Sequence, residues 1–172
     1  MGIRWRAFLA FLMLAALLAP GQAVAEEVHL TAADGYQIAG RLFQPAGEAR
    51  AGVVLLHMYK SDRESWKPLI PELTTRGLAA LAIDLRGHGE SRRGPSGTDN
   101  WQRVLDRDQE FFRQMHLDAE AAVRYLLKQG IRPEGVGLVG ASVGCSVAIQ
   151  TAVGGEVPVA AVVVMTPGEE YL

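Results

Sequence analysis

Four short runs, 51–57 (AGVVLLH), 78–85 (LAALAIDL), 136–141 (VGLVGA) and 159–165 (VAAVVVM), constrain the fold of this chain more than any other feature. None alternates between apolar and polar residues, so none suits a sheet with one wet face. Such strands must be covered on both sides. Helix-period stretches lie between them. Residues 65–76 read as a helix capped by Ser65 and stopped by Gly77, with Pro68 and Pro71 near its start. Residues 108–129 carry Phe111, Phe112, Met115, Ala119, Ala122, Val123, Leu126 and Leu127 on one helical face, and Gly130 ends them. A third stretch covers 145–152. This alternation predicts an α/β domain with a mainly parallel sheet and helices on both faces. Ahead of it, 28–32 and 36–44 read as an antiparallel hairpin around Ala33-Asp34-Gly35. Residues 86–100, rich in glycine, arginine and serine, read as a loop, and no repeat or linker marks a second domain.

In an open parallel sheet, ligands bind beyond the carboxyl ends of the strands. Residues 57–60, 86–91, Ser142 and 166–170 all fall there. The third run closes as Gly140-Ala141-Ser142-Val143-Gly144, a G-x-S-x-G between a strand and a helix, which is the pattern of a nucleophile elbow. So tight a turn needs neighbours almost without side chains, and Gly140 and Gly144 supply them. Residues 135–140 also satisfy G-x-G-x-x-G. A dinucleotide fingerprint needs a strand before its first glycine and an acidic residue about twenty positions on. Here Arg132-Pro133-Glu134 precedes it and the glycines lie within the strand, so nucleotide binding is set aside. Cys145, the only cysteine, falls on the first turn of the following helix as a small packing residue, and no internal disulfide is possible.

The amino terminus has a different character. Arg4 and Arg6 precede thirteen uncharged apolar residues (7–19), and Ala23-Val24-Ala25 forms a small-x-small site before Glu26. Residues 1–25 therefore read as a secretory signal peptide, too short in its apolar run for a membrane span. Residues 26–172 form the domain, and an exported, periplasmic or secreted location is expected. Without Arg4 and Arg6 the chain keeps 15 basic against 19 acidic residues, a net −4. There is no basic patch, so nucleic acid is not an expected partner.

Three segments, L-L-H-M-Y at 55–59, D-L-R-G-H-G-E-S at 84–91 and G-A-S-V-G at 140–144, give the chain a resemblance to the α/β-hydrolases. It is most similar to the dienelactone-hydrolase-like branch and related serine esterases and peptidases. The resemblance implies that Ser142 is the nucleophile attacking an acyl carbonyl and that the Val143 N–H is one oxyanion donor. The second donor would be Tyr59, or alternatively Met58. His57 would be a structural hydrogen-bonding residue, Asp84 an anchor of its loop, and His88 a shaper of that loop together with Arg86. The family's triad histidine follows its last strand, and none of His29, His57, His88 or His116 lies beyond Ser142. His88 stands as a possible substitute base. Glu169 and Glu170 are the candidate acids, with solvated loop carboxylates as the ordinary reading.

Residues 159–165 have no polar face and call for cover on both sides and a neighbouring strand. The expectation is therefore of the amino-terminal two-thirds of a hydrolase domain, with the strands bearing the acid and base beyond Leu172. Two functions are expected. One is a serine hydrolase of esters, lactones or related acyl substrates that works through an acyl-serine intermediate. The other is a non-catalytic module using the same surface for binding. No metal or cofactor is expected, the partner is a small acyl substrate, and self-association through the bare strand edge is a further expectation. Residues 92–107, with Trp101, are expected to overhang the site.

Overall fold

A computed structural model of the chain describes residues 24–154 and 156–167. The leader reading (1–25) and the candidate acids Glu169 and Glu170 lie almost wholly outside these residues. A hairpin of β1 (Val24–Thr31) and β2 (Gln37–Gln44) opens the fold. Then come β3 (Ala51–Leu56), a 3-10 turn (Arg63–Trp66), α1 (Ile70–Thr75) and β4 (Leu78–Ile83). Three helices follow, α2 (Trp101–Leu105), α3 (Gln109–Arg113) and α4 (His116–Lys128). The elements β5 (Val136–Ala141), α5 (Val143–Gly154) and β6 (Ala161–Met165) complete the described part. The sheet order is β1-β2-β4-β3-β5-β6. The β1–β2 and β2–β4 pairs are antiparallel, and β4, β3, β5 and β6 run parallel. No helix among the described residues is long and apolar enough to cross a membrane.

Continuous apolarity in the central strands produces the expected two-sided burial. Val54 and Leu56 of β3, Leu81 and Ile83 of β4 and Leu138 of β5 face one core, shared with α4 and α5. Leu55, Ala80, Ala82, Val139 and Ala141 face the other, closed by Trp66 and Ile70. β6 differs from the other three parallel strands, as a bare apolar edge would. Val162 packs against the first core, whereas Val163 and Met165 are about half exposed. Among the described residues, no strand pairs with its outer edge.

Two local readings need correction. Ser65 is not a helix N-cap. The Asp62 carboxylate caps the 3-10 turn by accepting the Glu64 N–H, and α1 begins only at Ile70, because Pro68 interrupts the run and Pro71 fits the first turn. The single helix expected over 108–129 is two, α3 and α4, with i→i−3 bonds at Gln114 and Met115 between them. At that break the Gln114 side chain reaches Arg86, and the His116 ring bonds the Arg113 carbonyl. Residues 101–105, for which the sequence suggested no regular element, form α2, its start held by Asp99 accepting the Trp101 N–H.

Buried polar groups fix the loops at the carboxyl end of the sheet. Arg86 is fully buried and spends its guanidinium on Asp118, Asp34 and Gln114, while its own N–H bonds the second Asp118 oxygen. Burial works against that cation, but the two carboxylates outweigh it and hold Arg86 above its ordinary range. Burial also lifts the Asp118 carboxyl to about 6, which leaves it ionised at neutral pH. Asp84, at the end of β4, accepts the Arg63 and Glu90 N–H groups and pairs with the Arg63 guanidinium. A side chain at Gly89, whose φ is +46°, would run into that carboxylate. His57 accepts the Leu85 N–H at 3.0 Å on Nε2, so Nδ1 bears the proton and donates to the Met58 carbonyl at 2.8 Å. Burial, with His88 alongside, pushes its pKa down to about 3.

α5 meets β3 so closely that a Cβ at Gly144 would overlap the Leu56 carbonyl and come within 2.9 Å of the His57 oxygen. Both are backbone atoms that cannot give way. Gly144→Ala is therefore expected to cost at least about 3 kcal/mol in urea unfolding. Gly47→Ala, where a Cβ meets nothing within 4 Å, should stay within about 0.5 kcal/mol of wild type. Equal effects would contradict the packing described. The histidine strut has its own signature. His57 takes up a proton near its ordinary pKa when unfolded but stays neutral when folded down to about 3. Its contribution to stability is thus complete above pH 6.5 and declines as pH falls toward 3, by about 2 kcal/mol at pH 5. Asp118, raised to about 6, works in the opposite sense between roughly pH 6 and 4. Replacing His57 with Asn isolates the histidine component. The loss of stability between pH 7.5 and 5 should shrink by about 2 kcal/mol relative to wild type, and an unchanged pH dependence would refute a neutral buried His57.

Candidate active site

β5 hands over to α5 through one residue, Ser142, and that residue bears the backbone strain. Its φ is +51°, a left-handed value that an L-residue with a side chain rarely adopts. The surroundings over-determine it. The Ser142 N–H donates to the Met165 carbonyl at 3.1 Å, and its own carbonyl accepts the Cys145 N–H at 2.9 Å. A Cβ at Gly140 would collide with the Gly144 backbone, so the two glycines that flank the serine meet across the turn. Ser142 itself stays half-buried, whereas Val143 and Cys145 are buried.

The strand ends bring the remaining segments alongside. Leu56 is in register with both Ile83 and Gly140, and Ala141 with Met165. The loops that start at His57, Asp84, Ser142 and Thr166 therefore leave one edge of the sheet together. After β3, the Met58 carbonyl is held by His57 and by the Ser61 N–H, and Lys60 turns the chain at φ +58°. Met58 projects outward at 46% exposure. The Tyr59 ring packs edge-on against Phe112 with centroids 6.3 Å apart, and its hydroxyl donates to the Leu105 carbonyl. The loop after β3 is in this way tied to α2 and α3, and Gly144 brings it against the start of α5.

The histidines separate cleanly. His57 and His88 are fully buried, their ring centroids 4.9 Å apart, and Trp101 meets His88 edge-on. Burial lowers both pKa values. His88 donates from Nδ1 to the Arg86 carbonyl, and its Nε2 has no hydrogen-bond partner among the described residues. His29 lies on β1, at the far edge of the sheet. His116 begins α4, its Nδ1 bonded to the Arg113 carbonyl. Asp84 serves as a loop anchor. Cys145 is a packing residue, its thiol against the Gly140 and Met165 carbonyls and its pKa raised by burial. Among the described residues, no group of three or more His, Cys, Asp or Glu side chains is placed to hold a metal ion. Asp118 and Arg63, which anchor the loop after β4, were not singled out in the sequence. The signal for Asp118 was a carboxylate on the apolar face of a helix, three residues after Met115 and four before Ala122.

Comparison with known proteins fits this geometry. The esterase Pf2001 of Pyrococcus furiosus superposes with a TM-score of 0.64 at 26% identity, covering 84% of this chain and 50% of its own. An esterase from Exiguobacterium antarcticum gives 0.61 at 21%, covering 84% of this chain and 46% of its own. A dienelactone-hydrolase-like promiscuous phosphotriesterase from metagenomic libraries gives 0.65 at 24%, covering 86% and 61%. The chain thus spans about half the length of the esterases it matches. The curated proteins give no match by sequence. The model of the alpha/beta hydrolase family matches residues 53–171, from the middle of β3 past the elbow and β6, and on that match the chain belongs to the alpha/beta hydrolase family.

Proposed function

We propose that the chain is the nucleophile-bearing part of an exported serine hydrolase acting on esters, lactones or related acyl substrates. The observation that carries this reading is the strained Ser142 at the end of β5, beside the loop that follows His57. In the proposed reaction the Ser142 oxygen attacks the acyl carbonyl and gives its proton to a base. The C–O bond to the alcohol then breaks, and water later releases the acid from the acyl-serine. The Val143 N–H and that of Tyr59, or alternatively Met58, would stabilise the oxyanion. Each such donor is worth roughly 3 kcal/mol. That the Pyrococcus furiosus relative is an esterase supports acyl chemistry, although this fold hosts many reactions, and the metagenomic relative is a phosphotriesterase. The reading of residues 1–25 as a signal peptide, from Arg4, Arg6 and the apolar run 7–19, is what supports export.

A second reading, a non-catalytic binding module, is favoured by the histidines. His57 and His88 are buried and neutral, and His29 and His116 sit elsewhere, so no described histidine is poised as a base. A fluorophosphonate probe separates the two. The hydrolase reading expects the full chain to be labelled stoichiometrically and Ser142→Ala to lose the label altogether. Folded protein that takes up no label supports the binding module and removes the enzyme reading.

A further inference from the structure

The methionines divide by burial. Of the five in the sequence, those at 58, 115 and 165 fall among the described residues. Met115 is sealed in the core shared with α4, where a thioether fills space between side chains. Met58 and Met165 are each 46% exposed, and their sulfur is open to water-borne oxidants. Both lie at the edge of the sheet that carries Ser142. Leu56 is in register with Gly140, so Met58 and Ser142 each sit two residues beyond a paired position of neighbouring strands. Such strands run about 4.8 Å apart. Met165 pairs with Ala141 on the other side of the elbow.

Met58 has the closer bearing on chemistry, because of how its backbone is held. Its carbonyl accepts from the His57 ring at 2.8 Å and from the Ser61 N–H at 3.1 Å. No peptide bond among the described residues is cis, so the Tyr59 N–H points to the opposite side of that peptide. The Tyr59 hydroxyl on the Leu105 carbonyl fixes the loop further. The Met58 side chain, with three rotatable bonds, is the part of this loop that can still turn. Met165 meets the elbow through an acceptor, the carbonyl that holds the Ser142 N–H. Cys145, the thiol at this edge, is buried and its pKa is raised by burial, which makes it a poor target for oxidants.

We propose that Met58 is an oxidation site that shuts off the Ser142 edge, its sulfoxide oxygen competing for the N–H donors of Tyr59 and Val143. The oxidant is hydrogen peroxide. The thioether sulfur attacks one peroxide oxygen, an S–O bond forms as the O–O bond breaks, and the second oxygen leaves as water. Sulfur loses the two electrons that the peroxide gains. A thioether is a weak hydrogen-bond acceptor, whereas its sulfoxide is polar and accepts through oxygen. The effect on reaction rests on Ser142 being the reacting residue, but the modification itself does not.

The full chain is treated with hydrogen peroxide, and peptide masses locate the added oxygen. Met58 should gain one oxygen at doses that leave Met115 unchanged. The Tyr59 and Val143 amide NMR signals should shift on oxidation of wild type and stay in place on treatment of Met58→Leu. Fluorophosphonate labelling of Ser142 should slow about tenfold or more, since one lost oxyanion donor is worth about a hundredfold. Methionine sulfoxide reductases, one for each epimer, should restore it. Each variant is compared with its own untreated rate: Met58→Leu should hold that rate, and Met165→Leu should lose it as wild type does. A Met58 that resists peroxide, amide signals that do not move, labelling that survives oxidation of Met58, or an equal loss in Met58→Leu each overturns the proposal. Oxidation of Met58 that moves both amides in a chain whose Ser142 never takes the label upholds the modification site and removes the hydrolase reading instead.

Discussion

A guanidinium sealed from water must find an acceptor for every N–H, and the loop after β4 is built around meeting that demand for Arg86. Its side chain makes five hydrogen bonds, two to Asp118, two to Asp34 and one to Gln114, with the Tyr36 ring stacked 4.9 Å from its centre. The partners come from three parts of the chain: the hairpin turn, the break between α3 and α4, and the first turn of α4. Removing one partner would leave charge buried and uncompensated, a loss of several kcal/mol. The network therefore fixes how the hairpin, the sheet and α4 meet, and it fixes the carboxyl edge of β4 as a consequence. Asp84 completes the arrangement by holding Arg63 and the Glu90 N–H, which gives the loop after β3 a fixed neighbour.

The same economy governs the elbow. Strain at Ser142 persists only because Gly140 and Gly144 let α5 descend onto the end of β3, closer than any side chain would allow. Buried apolar packing supplies the force. Leu56, Leu138, Val143 and Val147 share one core, so lifting α5 away to relax the serine would open that core to water. Backbone strain and close packing are in this way two ends of one constraint. What emerges is a half-buried hydroxyl at the sheet edge, beside a loop tethered by His57 and Tyr59.

Much of this was legible in the sequence because it depends on local and binary patterns. Three of the runs without alternation are the buried parallel strands β3, β4 and β5, and G-A-S-V-G between a strand and a helix marks the elbow. Asp84 and His57 were read as structural residues and are hydrogen-bonded as such. The misreadings occurred where side chains from distant segments decide. Ser65 looked like a cap, but Asp62 reached the backbone first. One helix face over 108–129 hid a break whose polar groups answer to Arg86, fifty-two residues from its other partner Asp34. Asp118 passed unremarked because its partner cannot be seen from one helix. The five-residue helix at Trp101–Leu105 is too short for periodicity to reveal.

Burial explains why His57 and His88 fit poorly as a proton acceptor in the proposed reaction of Ser142. A general base works best with a pKa near the operating pH and with its lone pair free toward the nucleophile. His57 commits both ring nitrogens to the backbone, and burial pulls its pKa to about 3. His88 is sealed between His57 and Trp101, its pKa lowered by the same desolvation. A histidine cannot be both the neutral strut that holds this edge and the base that works on it. The burial that fixes this edge of the sheet thus keeps both rings as neutral struts.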